Sequence, residues 1–154
     1  MSQITRRIAA RPTPKLIAAV MCALALAVAG CGGGDSYKSK VEAAAKQFKK
    51  TSEAAGQKLR ASKNKQEFAA GVADFQGAVK TFNAKLQSLN PPDKAKAAQS
   101  QLINTLNTFS TDVGGVRDAL NTNNVSKIQE LQGKVVADIG SVQSAAKELQ
   151  DKAD

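Results

Sequence analysis

From Ser36 onward the apolar residues recur at alternating steps of three and four, the spacing that places them on one face of an α-helix. Val41, Ala45, Phe48, Ala55 and Leu59 define a first face, with Ser52 interrupting it. Phe68, Val72, Phe75, Val79, Phe82, Leu86 and Leu89 define a second that holds without a miss over three heptads, mostly Phe at the d-like positions and Val at the a-like ones. A third runs Ala95, Gln99, Leu102, Leu106, Phe109, Val113, Val116, Leu120. The fourth runs Val125, Ile128, Gln132, Val135, Ile139, Val142, Ala146, Leu149, widened by Leu131 and Val136. No stretch shows the period-two alternation of a strand.

Three breaks separate these faces. Ser62-Lys63-Asn64-Lys65 interrupts the first pattern, and Asn64 with Glu67 three residues on has the form of a capping pair. Asn90-Pro91-Pro92 ends the second helix, because the residue before a proline avoids the helical region and proline has no N–H to donate; Asp93 is placed to cap the third. Asn121-Thr122-Asn123-Asn124 forms the last turn. Gly114-Gly115, inside the third helix, costs about 1 kcal/mol per glycine relative to alanine and predicts a bend or fraying point. Four amphipathic segments joined by turns too short for crossovers predict an all-α, up-down-up-down antiparallel four-helix bundle over residues 36–154. Such a bundle returns the C-terminus, and the turn between the second and third helices, to the end at which the first helix begins.

Residues 1–30 have a different character. Arg6, Arg7, Arg11 and Lys15 precede a run without charge from Leu16 to Gly30, the order of a secretory signal whose cations stay cytoplasmic. As a helix that run is about 22 Å long, short of the roughly 30 Å hydrocarbon core, so it reads as a cleavable signal rather than a tilted permanent anchor. It closes on Val28-Ala29-Gly30-Cys31. These four residues resemble the lipobox of bacterial lipoprotein signal peptides. The resemblance implies cleavage between Gly30 and Cys31, a thioether-linked diacylglycerol on Cys31 and usually an N-acyl chain. Two or more chains anchor stably where one is marginal. Cys31 and the flexible Gly32-Gly33-Gly34 run make residues 31–35 a tether. The expected location is extracytoplasmic, lipid-anchored to the cell membrane, or to the outer membrane of a Gram-negative source.

Removing residues 1–30 lowers the Lys and Arg count from 22 to 18 and leaves the 13 Asp and Glu, so the side-chain charge falls from +9 to +5. The remainder is concentrated in residues 38–65, which hold nine Lys or Arg and two Glu. Only Lys38 and Lys40 start close enough to the tether to meet anionic lipid headgroups or wall polymers, because such attraction fades within roughly 8 Å at physiological salt. Nucleic acid is excluded as a partner, since the basic segment lacks interleaved aromatics and the signal directs the chain out of the cytoplasm. With Cys22 inside the signal, Cys31 is the only cysteine left after cleavage, and no intramolecular disulfide is possible.

Catalytic chemistry finds no constellation. The chain has no histidine, and its two methionines, Met1 and Met21, precede Cys31, which removes the ligands that di-iron and haem bundles use. Asp74, Asp112 and Asp138 fall beside or outside the apolar faces, so no carboxylate cage or acid–base pair assembles. The expectation is a noncatalytic protein without cofactor or metal. Phe48, Phe68, Phe75, Phe82 and Phe109 either fill the core or line a pocket for an apolar ligand. Ser52, Gln99 and Gln132 at seam positions either fix the register or are tolerated polars. Residues 97–111 carry no charge and are rich in Gln, Asn, Thr and Ser, a face for a glycan or protein or simply a solvated surface. Two functions compete: an anchored helical module that binds or spaces a protein partner, whose identity nothing in the sequence names, and a carrier of an apolar ligand within the bundle.

Overall fold

A helix leaves its first backbone N–H groups without partners inside the helix, and the computed structural model, which describes residues 36–153, shows four helices, three of them begun by a capping side chain. They are α1 (Tyr37–Ala61), α2 (Lys65–Ser88), α3 (Asp93–Asn121) and α4 (Val125–Lys152). Ser36 Oγ accepts from the Ser39 N–H at 3.3 Å and starts α1. Asn64 Oδ1 accepts from the Glu67 N–H at 2.8 Å, while the Glu67 carboxylate accepts from the Lys63 N–H at 2.7 Å, a reciprocal cap at the head of α2. Asn124 Oδ1 accepts from the Lys127 N–H at 3.0 Å and starts α4, after a turn in which Asn123 takes a positive φ of 54°.

The third helix starts differently from the sequence expectation. Its cap position is Pro92, which has no capping side chain, and Asp93 is the first helical residue. Proline fixes the φ that delivers the chain into the helix, and an acid in the first turn is stabilised by the helix dipole without capping. Asp93 also pairs with Lys96 at 2.7 Å. Nor does α3 fray at Gly114-Gly115; it runs on to Asn121. The two glycines make room for neighbours: a Cβ on Gly114 would lie 2.8 Å from Gln76 Nε2, and one on Gly115 would lie 3.1 Å from a Leu131 methyl. Gln76 crosses that gap to donate to the Ser110 carbonyl at 3.1 Å.

The architecture is an antiparallel four-helix bundle: α1 packs on α2, α2 on α3 and α3 on α4. The fourth seam, between α1 and α4, lacks a comparable close backbone approach. The core carries the second face almost entire, with Phe68, Val72, Phe75, Val79, Phe82 and Leu86 buried and Leu89 partly so. Phe48 of α1 stacks on Phe82 of α2 with ring centroids 4.8 Å apart. Phe75 meets Phe109 of α3 edge to face at 5.2 Å. Such pairs add about 0.5–1.5 kcal/mol beyond the area they bury. On α4 the buried stripe is Ile128, Leu131, Val135, Ile139, Val142, Ala145 and Leu149. Val125 and Val136 lie outside it, 53% and 58% exposed.

The seam polars have separate roles. Gln99 is buried and accepts from the Tyr37 hydroxyl at 2.7 Å, tying the first turn of α1 to α3. Burial raises the Tyr37 pKa, which keeps that hydroxyl a donor. Ser52 returns its hydroxyl to the Lys49 carbonyl at 3.0 Å, within its own helix. Asn83, also buried, donates to Asn107 at 2.8 Å.

Glycine substitutions should divide by location. Gly71 lies where α1 and α2 cross so closely that a Cβ would sit 2.8 Å from Leu59 Cγ and 3.2 Å from its backbone nitrogen. Leu59 is itself buried, so Gly71→Ala is expected to cost about 1–3 kcal/mol. Gly77, Gly133 and Gly140 have open space at the same position. Their alanine variants should each gain up to about 1 kcal/mol from helix propensity. Thermal melting of the four single variants measures both signs.

Candidate functional site

Because the bundle is up-down-up-down, the start of α1, the end of α4 and the α2–α3 turn share one end. There the unclosed α1–α4 seam opens into a groove of about 450 Å³. Val41 and Ala45 of α1 face Ala146 and Leu149 of α4 across it, and Phe82 and Leu102 form its floor. Small side chains on both walls keep it open, while the Tyr37–Gln99 bond holds the head of α1 toward α3 rather than α4. Lys38, Glu42, Lys147 and Asp151 stand along its sides, and Glu42 is only 7% exposed.

A second groove of about 460 Å³ runs along the α1–α2 flank. Ala44, Ala55, Ala73, Gly77 and Ala78 line it, with Phe48 and Phe82 beneath. The Lys58–Asp74 ion pair sits among its lining residues. Near the end where α1 begins, Lys40 lines a shallower depression with Lys85, Ser88 and Leu89.

The residues singled out in the sequence are distributed as follows. Gly30 and Cys31 lie outside the described residues. Lys38 is half-buried beside the α1–α4 groove, and Lys40 is exposed one turn into α1. All five phenylalanines are buried, but no single opening gathers them. Phe82 reaches both grooves and Phe48 the flank groove, whereas Phe68, Phe75 and Phe109 line neither. The uncharged face keeps its threonine hydroxyls occupied: Thr105, Thr108 and Thr111 donate to the carbonyls four residues earlier at 2.7, 3.2 and 2.9 Å. Among the described residues no group of three or more His, Cys, Asp or Glu is placed to hold a metal, and no helix is long and apolar enough to cross a membrane.

Two features of this surface were not anticipated. Glu42 contributes to the buried side of α1, next to Val41 of the apolar face. Asp138 of α4 has its Oδ2 buried without a hydrogen-bond partner. Burial raises the Asp138 pKa, the facing carboxyl of Asp112 on α3 raises it further, and Lys134 opposes the rise. A carboxyl with a raised folded-state pKa keeps a proton that the unfolded chain has released, so its contribution to stability falls as the pH climbs through the folded value. Asp138→Asn is therefore expected to raise the melting midpoint at pH 7. It should leave the midpoint nearly unchanged at about pH 3, below the ordinary aspartate value. Melting curves at the two pH values test this.

Comparison of the chain with known protein families, curated proteins and solved structures gives no match.

Proposed function

We propose that the protein is a membrane-anchored, noncatalytic envelope lipoprotein, held through lipidated Cys31, whose helical bundle binds or spaces a protein partner close to the membrane. The observation that supports this most is the order of the chain: a charged then apolar leader, Val28-Ala29-Gly30-Cys31, three glycines, and at once a helical domain. Signal and tether account for residues 1–35, and the bundle for the rest. The filled core, in which Phe75 and Phe109 are spent on each other, favours a surface-acting module over a ligand carrier. On this reading Lys38 and Lys40 are the first cations to meet an anionic membrane or wall polymer, each worth about 1 kcal/mol close to such a surface.

The partner is sought by crosslinking in living cells and identification of what is joined to the bundle. A reproducible protein adduct in the membrane fraction supports the module, and its absence, with an apolar compound co-purifying instead, favours the carrier. The membrane contact has its own test. The unlipidated domain should cosediment weakly with anionic vesicles, release at high salt, and lose binding with Lys38→Gln and Lys40→Gln. Equal binding to neutral vesicles, or none to either, returns these lysines to simple solvation.

A further inference from the structure

We propose that the groove between α1 and α4 seats one acyl chain of the lipid carried by Cys31, so that part of the anchor folds back onto the end of the bundle it tethers. The inference rests on the reading of Cys31 as the lipidated residue.

Reach is the first argument. Four residues, Gly32 to Asp35, separate Cys31 from Ser36, and the five chain steps span at most about 18 Å when extended. The groove begins at Lys38, within the first turn of α1. Along α4 it runs from Gln143 to Ala153, about 15 Å of helix. An acyl chain attached to Cys31 thus starts within one tether length of the opening.

Shape and chemistry are the second. The volume of about 450 Å³ lies within the roughly 300–1,000 Å³ of small-ligand sites. Its facing walls are Val41 and Ala45 on one side and Ala146 and Leu149 on the other, with Phe82 and Leu102 below. Alanines on both walls make a slot for a slim, unbranched hydrocarbon. Lys147 and Gln150 among its lining residues supply donors for ester carbonyl oxygens.

Effective concentration is the third. A ligand tied by a short flexible linker competes at millimolar effective concentration, which favours the protein's own chain over any free lipid. The α1–α2 groove is a poorer seat, because it lies along the flank, beyond the end where the tether enters.

Cells fed a fatty acid bearing both a photoreactive diazirine and an alkyne would produce the full-length protein with that acyl group, and irradiated membranes would yield it for peptide mapping. The expected result is label on the Cys31 peptide and intramolecular crosslinks from it to residues 38–45 and 143–153. Ala146→Trp, which fills the groove from a half-buried position, should keep the label on Cys31 and lose those crosslinks. Should the tryptophan variant fail to fold, the wild-type map decides alone. Label on Cys31 with crosslinks confined to membrane lipids would overturn the inference and leave the anchor standing. A Cys31 without label would overturn both.

Discussion

Phe75→Ala in the domain beginning at Ser36 is expected to lose about 3–5 kcal/mol, the usual range for a buried phenylalanine. Phe75 is fully buried in the middle of α2 and packs edge to face on Phe109, so the truncation opens a cavity where two helices meet and removes an aromatic pair at the same time. The adjoining core residues Val72 and Val79 are short, β-branched and already buried. The melting midpoint should fall by roughly 10–25 °C for a domain of this size. Val125→Ser is the matched control: Val125 is 53% exposed at the head of α4, and its change should stay within about 0.5 kcal/mol. A small shift for Phe75→Ala would mean that the bundle does not pack around α2.

Cys31→Ser has the largest expected effect on the whole protein. A serine hydroxyl cannot form the thioether, so the variant should incorporate no fatty acid. If cleavage follows lipidation, residues 1–30 stay attached and the chain runs as a precursor of altered mobility. Metabolic labelling with a fatty acid reports the first effect and electrophoresis the second. Label incorporated equally into the serine variant would place the lipid elsewhere and overturn the Cys31 anchor.

The helices and their order were legible because the pattern and the breaks agreed. The face from Phe68 to Leu86 is buried as spaced, and the Asn64–Glu67 pair caps α2 as its side chains allow. What the pattern misplaced lies at the edges. A seven-residue repeat drifts on a straight helix of 3.6 residues per turn, so Val125 at its far end falls outside the stripe, and Val136 lies about 100° round the helix from the buried Val135. Asp93 has the residue type of a cap, but the proline before it sets the entry angle and makes Asp93 the first helical residue. The glycines of α3 looked like a weakness because a sequence shows their propensity but not the Gln76 side chain that crosses at Gly114. The α1–α4 groove was not legible at all. It arises from a seam that fails to close, a property of four helices together, and from alanines at 45 and 146 that read simply as part of each face. Asp138 belongs to the same class, since its pKa depends on Asp112 across a helix interface.

The most direct test of the account is the intact mass of the wild-type protein extracted from membranes in detergent, with its N-terminal peptide sequenced. The polypeptide should begin at Cys31 and carry the added mass of a thioether-linked diacylglycerol, with or without an N-acyl chain. A chain that retains residues 1–30, or one that begins at Cys31 with a free thiol and no lipid, would contradict it.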